Sequence, residues 1–312
     1  MKSFTLPGTD ITVPNIVLGL MRIADKSDDE VRELVHTARD AGIDFVDHAD
    51  VYGNPVLHGC ERRFAEAMQL TPAERDAITI QTKAGIVPDG PYFDFSYEHL
   101  IESVEGSLEA LQTDRIDILL LHRPDALVEP DEVARAFDEL HESGKVRAFG
   151  VSNHTPRQIE LLKRSVRQPI VANQLQLSIT HSPIIAQGVS SNMAGAEQSI
   201  TLDGGGILDY CRLNDITVQA WSPFQAGFFD GVFLDAERFP ELNAVIDRLA
   251  AKYDVPPIAI ATAWITRHPA QMQVVLGTTT PQRVTDAAQG SDIPLERSEW
   301  YELFRTAGHI VP

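Results

Sequence analysis

Short runs of β-branched and other apolar residues alternate along this chain with longer segments whose apolar positions recur every three to four residues. That alternation predicts strand–helix units wound around a parallel sheet. Strands are expected at Ile16–Leu20, Ile43–Asp47, Ile78–Lys83, Ile116–His122, Arg147–Ser152, Ile170–Gln174, Thr217–Trp221 and Val274–Gly277. Eight strands is the barrel number, so the expected α/β fold is a single (β/α)8 TIM barrel, with residues 1–312 forming one domain. No Pro/Ser-rich linker divides the chain. Helical patterns include Asp28–Asp40, Glu61–Gln69, Tyr97–Leu111 and Asp131–Ser143. Ser27 and Glu30 have capping-box spacing, and Pro130 suits the first turn of a helix. Gly42 and Gly144 stand where the first and fourth of these helices should stop.

Two stretches fall outside the repeat. Phe4–Leu6, the Pro7-Gly8 turn and Ile11–Val13 read as a short β-hairpin closing the bottom, the non-catalytic end of the barrel. Ser178–Gly206 has no clear periodicity and falls in a βα loop. It is expected either to border the substrate or to be a surface excursion.

Charge narrows the partners. With 26 Lys+Arg against 45 Asp+Glu the formal charge is −19, and such a chain repels phosphate backbones and anionic headgroups. Neither nucleic acid nor a membrane is therefore an expected partner. No stretch approaches the roughly 18 apolar residues of a membrane span, and the start MKSFTLPGTD does not read as a secretory signal. Cys60 and Cys211, without a CxxC spacing, read as free thiols of a reducing cytosol, so a cytoplasmic location is expected.

Candidate chemistry sits at the strand ends, where packing demands no polar residue. The second strand closes on Asp47-His48-Ala49-Asp50-Val51-Tyr52-Gly53, the third on Lys83-Ala84-Gly85, the fourth on His122-Arg123-Pro124-Asp125 and the fifth on Ser152-Asn153. Here the sequence resembles the aldo-keto reductases, whose Asp, Tyr, Lys and His tetrad lies on the same strands in the same order. The resemblance runs over essentially the whole chain. It implies a catalytic set of Asp47, Tyr52, Lys83 and His122.

Physical chemistry gives each a task. Hydride transfer to a carbonyl needs a proton donor for the emerging alkoxide, and a free phenol of pKa about 10 is too weak an acid at neutral pH. Lys83 can lower that pKa, Asp47 can hold the ammonium, and a neutral His122 can orient the carbonyl oxygen. Taken singly, the same residues could be a strand-end ion pair, a rim aromatic and a core histidine. His48, Asp50 and His58 also raise the idea of a metal site, but the first strand lacks the His-x-His pair of barrel metallohydrolases, and no metal is expected.

The resemblance further implies a nicotinamide cofactor. Ser152, Asn153 and Gln174 suit its carboxamide, and Trp221 its ring, although Ser152-Asn153 could simply cap a helix. Met21, Arg22, Ser222, Pro223 and Phe224 line the cofactor path. Gly277, Thr278, Thr280 and Arg283 offer hydroxyls, a helix N-terminus and a cation to phosphate. The resemblance assigns Thr278, Thr280 and Arg283 to the adenosine 2′-phosphate, which favours NADPH (NADP+). NADH stays open, because Gly277 stands where many relatives carry Lys.

The expected activity is thus NADPH-dependent reduction of a small-molecule aldehyde or ketone. The alternative is a redox-responsive NADP(H)-binding accessory module with little turnover. Substrate should meet Met21, Tyr92, Phe93, the Arg123–Asp131 segment, Ser178–Gly206 and Phe228-Phe229. The chain stops at Pro312 soon after its last helical pattern, which predicts no long tail over the site and a broad specificity.

Overall fold

A computed structural model describes residues 1–53, 55–89, 92–191, 206–227, 230–234 and 237–311. The chain opens with β1 (Ser3–Thr5) and β2 (Thr12–Pro14), an antiparallel hairpin with Phe4 opposite Val13. It then lays down β3 (Ile16–Gly19), β4 (Phe45–Asp47), β5 (Thr79–Ala84) and a small antiparallel pair, β6 (Ile86–Val87) with β7 (Tyr92–Phe93). There follow β8 (Ile116–Leu121), β9 (Val146–Ser152), β10 (Ile170–Gln176), β11 (Thr217–Trp221) and β12 (Gln273–Leu276). Strands β3, β4, β5, β8, β9, β10, β11 and β12, in that order, close a parallel barrel. The predicted (β/α)8 barrel and its N-terminal hairpin are both present.

The intervening helices begin with α1 (Asp28–Asp40), α2 (Gly59–Met68), α3 (Pro72–Asp76), α4 (Tyr97–Leu111), α5 (Pro130–Glu142) and α6 (Pro156–Leu162). They continue with α7 (Pro183–Val189), α8 (Ile207–Leu213), α9 (Pro240–Tyr253), α10 (Pro257–Thr266), α11 (Pro281–Ala288) and α12 (Arg297–Thr306). Ser27 caps α1 in the expected box with Glu30, and Pro130 occupies the first turn of α5.

Strand periodicity builds the core in two layers. In β8, Ile118 and Leu120 point into the barrel while Leu119 and Leu121 face the helices, so every position of Ile116–Leu121 is buried. The inner set, including Val17, Phe45, Val171 and Val275, packs against Leu6, Ile11 and Val13 of the hairpin region, which plugs the bottom of the barrel.

The structure adds detail that periodicity misses. The third βα loop folds back as β6 and β7, with Tyr92 opposite Val87. Part of Ser178–Gly206 is α7, whose seven residues are too few to show a period; residues 192–205 of that stretch, and Phe228-Phe229, lie outside the described residues. Among the described residues, no helix is long and apolar enough to cross a membrane.

Candidate active site

Strand alternation brings the first two site residues together. Asp47, the last residue of β4, pairs with Gln81 of β5, and Lys83, two residues on, lies on the same face. Lys83 is fully buried. Its Nζ donates to both Asp47 carboxylate oxygens at 2.7 Å, to the His48 carbonyl at 2.7 Å and to the Tyr52 hydroxyl at 3.3 Å. Asp47 also accepts from Gln81 Nε2 at 2.6 Å and Gln174 Nε2 at 3.1 Å, so its negative charge is held from two other strands, β5 and β10.

The loop after β4 aims Tyr52 at this pair. Tyr52 N–H donates to the Ala49 carbonyl, and the Cys60 N–H at the start of α2 donates to the Tyr52 carbonyl. Gly53 has φ +97°, and a Cβ there would lie 2.8 Å from Gly59 Cα. Only glycine lets the loop close this tightly.

The electrostatics follow from burial and one ion pair. Burial opposes the Lys83 ammonium, but Asp47 and then Tyr52 outweigh it and hold the lysine pKa above its ordinary value. Burial pushes the Tyr52 phenol up; the Lys83 charge pulls the other way without cancelling it. The expectation of an acidified phenol is therefore met in the sign of the lysine's effect and not in the net direction. His122 follows β8 and presents its ring edge-on to Tyr52, with centroids 5.9 Å apart. Burial, followed by the charges of Lys83 and Arg123, drives its pKa well below the ordinary histidine value, so the ring is neutral near pH 7. Its Nδ1 is buried with no hydrogen-bond partner among the described residues.

The other expected residues ring the same end of the barrel. Ser152 Oγ donates to the Gln174 carbonyl at 2.9 Å, Asn153 Nδ2 donates to Ser152 Oγ at 2.8 Å, and Trp221 Nε1 donates to Asn153 Oδ1 at 3.1 Å. This chain ties the ends of β9, β10 and β11 and fixes the half-buried indole. The helix cap falls instead to Thr155, in a box with Gln158. Gln174 Nε2 is committed to Asp47 and Gln219. Met21 and Arg22 are exposed after β3, Pro223 is buried, and Phe224 packs on the core. Ser222 is in the left-handed region at φ +52°. Beyond β12, Thr280 N–H donates to Thr278 Oγ1, and Arg283 is exposed on the first turn of α11. A Cβ at Gly277 would meet nothing within 4 Å, so this position is open where a longer side chain could stand.

The profile of the Aldo/keto reductase family matches residues 15–305. The chain belongs to this family. It is 33% identical to the oxidoreductase YdhF of Escherichia coli over 95% of this chain and 94% of that protein. It is 32% identical to the 6-dehydroglucose reductase of Agrobacterium fabrum, over 95% of each. The crystal structure of the thermostable aldo-keto reductase Tm1743 with the inhibitor epalrestat matches with TM-score 0.78, covering 98% of this chain and all of that one. At 23% identity it supports the fold.

Two features of this aldo/keto reductase escaped sequence reasoning. The first is a row of amides through the barrel interior: Gln81 and Gln174 donate to Gln219, Gln219 donates to Gln273, and Gln273 donates to the Pro14 carbonyl. It links Asp47 to the hairpin end with each of those donors satisfied. A glutamine on each of four barrel strands was the available signal. The second is the buried Glu61, whose Oε1 accepts from Thr82 Oγ1 at 2.5 Å and whose Oε2 accepts from Ser107 Oγ at 3.1 Å and lies 2.6 Å from His58 Nδ1. Glu61 thus braces the residue next to Lys83. Burial, with Glu61 adding to it, pushes Asp50 up to about 7, and burial takes His48 down to about 4. Among the described residues, His48, Asp50 and His58 form no group of three that could hold a metal.

Proposed function

We propose that this chain reduces aldehyde or ketone carbonyls to alcohols with NADPH, with Tyr52 as the proton donor. Family membership supports carbonyl reduction in general. The observation that carries the finer reading is the fully buried Lys83, held between both oxygens of Asp47 and the Tyr52 hydroxyl. A charged amine in that position can stabilise a phenolate as it forms.

The rim suits the cofactor. Trp221 offers an indole face fixed by Asn153, and Ser152, Asn153 and the Gln174 side-chain oxygen offer partners to an amide. Thr278, Thr280 and Arg283 would hold phosphate, Arg283 supplying local positive charge in a protein of −19. Met21 and Arg22 border the same opening. Bound there, the nicotinamide supplies hydride to the carbonyl carbon.

Every other task falls to the protein. Burial keeps the Tyr52 proton in place at neutral pH, so the phenol is ready to give it. As the carbonyl oxygen gains charge, the Tyr52 hydroxyl transfers its proton to it, and Lys83 meets the phenolate left behind. Asp47 prevents the ammonium from losing its proton. Neutral His122 donates a ring N–H to the same oxygen and orients it.

Tyr52→Phe tests this reading. It removes only the hydroxyl, and the turnover number with NADPH and a reactive aldehyde should fall roughly 100- to 10,000-fold while NADPH still binds. A folded Phe variant turning over at the wild-type rate would exclude Tyr52 as donor.

A further inference from the structure

Arg123 is the first charged residue beyond β8, and its guanidinium carbon lies 5.7 Å from the ring centroid of Trp221, the last residue of β11. Strands β8 and β11 are separated around the barrel wall by β9 and β10. A side chain rooted at β8 reaches the end of β11 only by crossing the mouth. The guanidinium therefore stands over the opening that Tyr52 and His122 face.

Among the described residues, no carboxylate neutralises it. Asp125, two residues on, has both carboxylate oxygens occupied, one by the Phe95 N–H at 3.1 Å and one by the Leu127 N–H at 2.8 Å. Asp47 is taken by Lys83 and Glu61 by its own buried network. Among the described residues, no carboxylate acts on the Arg123 charge, which burial disfavours. A half-buried cation without a counter-ion among the described residues, in a chain carrying −19, is an unusual thing to keep beside a reaction site.

We propose that Arg123 is a specificity-determining residue that receives a carboxylate borne by the carbonyl substrate. This rests on the reduction proposed above. The cofactor's phosphates are the rival anion, because the guanidinium lies against the end of β11, next to the β12 strand that Thr278, Thr280 and Arg283 follow; the test therefore reads NADPH affinity separately. A guanidinium over an indole face can still direct two parallel N–H bonds to a carboxylate, so the anion would be held while the carbonyl is delivered to Tyr52.

The test uses a matched pair, 4-carboxybenzaldehyde and its neutral isostere 4-nitrobenzaldehyde, with wild type, Arg123→Met and Arg123→Lys. Arg123→Met should lower the carboxylate-over-nitro ratio of kcat/KM roughly 10- to 100-fold, chiefly through KM, and Arg123→Lys should restore part of it. An unchanged ratio, or a loss traced to NADPH affinity, overturns the proposal. A second readout needs no turnover: 4-(hydroxymethyl)benzoate should perturb tryptophan fluorescence on binding wild type and bind Arg123→Met at least about 10-fold more weakly. Equal binding, or no binding to wild type, overturns it. If this anion binds through Arg123 while neither aldehyde is reduced, the anion site stands and the reductase reading fails.

Discussion

Replacing Asp47 by asparagine isolates the ion pair at the centre of the site. The side chain keeps its shape and an oxygen for Gln81, but Lys83 Nζ loses a full negative charge 2.7 Å away. At that separation two unit charges attract by about 6 kcal/mol at an effective dielectric constant of about 20. The loss has a ceiling, since a buried ammonium that becomes too costly sheds its proton. Holding the amine neutral at pH 7 costs about 5 kcal/mol, at about 1.4 kcal/mol for each pH unit below the ordinary lysine value. The expected destabilisation at pH 7 is therefore about 3–5 kcal/mol, the range found when one partner of a buried pair is removed. Its pH dependence is more telling. In the wild type the Lys83 pKa is raised, so its contribution is complete below the unfolded value of 10.5 and is lost only as pH rises through the folded one. In Asp47→Asn the folded pKa falls below 10.5, the unfolded chain binds more protons, and stability climbs with pH by up to about 1.4 kcal/mol per unit. Urea unfolding of both proteins at pH 7, 8.5 and 9.5, followed by circular dichroism, should show a gap that narrows at the alkaline end. A gap under about 1 kcal/mol at pH 7, or one constant to pH 9.5, would refute the account of Lys83 as a buried ammonium sustained by Asp47.

Three further substitutions probe the surroundings. The Asp50 pKa is raised from 3.8 to about 7, so its contribution favours folding at low pH and is lost as pH rises through 7; Asp50→Asn, which still accepts from Val51, should gain on wild type between pH 5 and pH 8 by more than about 1 kcal/mol in thermal or urea unfolding. Arg283→Ala should weaken NADPH binding roughly 10- to 100-fold in a fluorescence titration and NADH far less, whereas equal weakening would argue against a 2′-phosphate contact. Gly53→Ala puts a Cβ against Gly59 at φ +97° and should cost about 1–3 kcal/mol while lowering turnover through the displaced Tyr52; unchanged melting temperature and rate would show that the loop has room.

How much could be read in advance varied with how local each feature is. The strands were legible because burial on both faces demands an apolar run such as Ile116–Leu121, and their boundaries shifted by only one or two residues. Asp47, Tyr52, Lys83 and His122 stood out because charge and hydroxyl have no packing reason to end a barrel strand. The direction of the Tyr52 shift was not legible, since it depends on how much water the surrounding protein excludes, and here exclusion outweighs the lysine. Nor was the Glu61 brace, whose partners Thr82 and Ser107 lie 21 and 46 residues away and look like ordinary strand and helix residues. The short α7 and the β6–β7 pair carry too few residues for a period to show.

Sequence alone determined the barrel, its hairpin plug and the identity of the polar residues at each strand end, because those follow from a period of two, a period of 3.6 and the chemistry of single side chains. Only the tertiary structure decided which of these residues touch: that Lys83 sits between Asp47 and Tyr52, that four glutamines form one row, and that Arg123 crosses the mouth to Trp221. The reason is that closing the barrel joins strands far apart in the chain, and the distances so created, with the water they exclude, set the charges on which the chemistry depends.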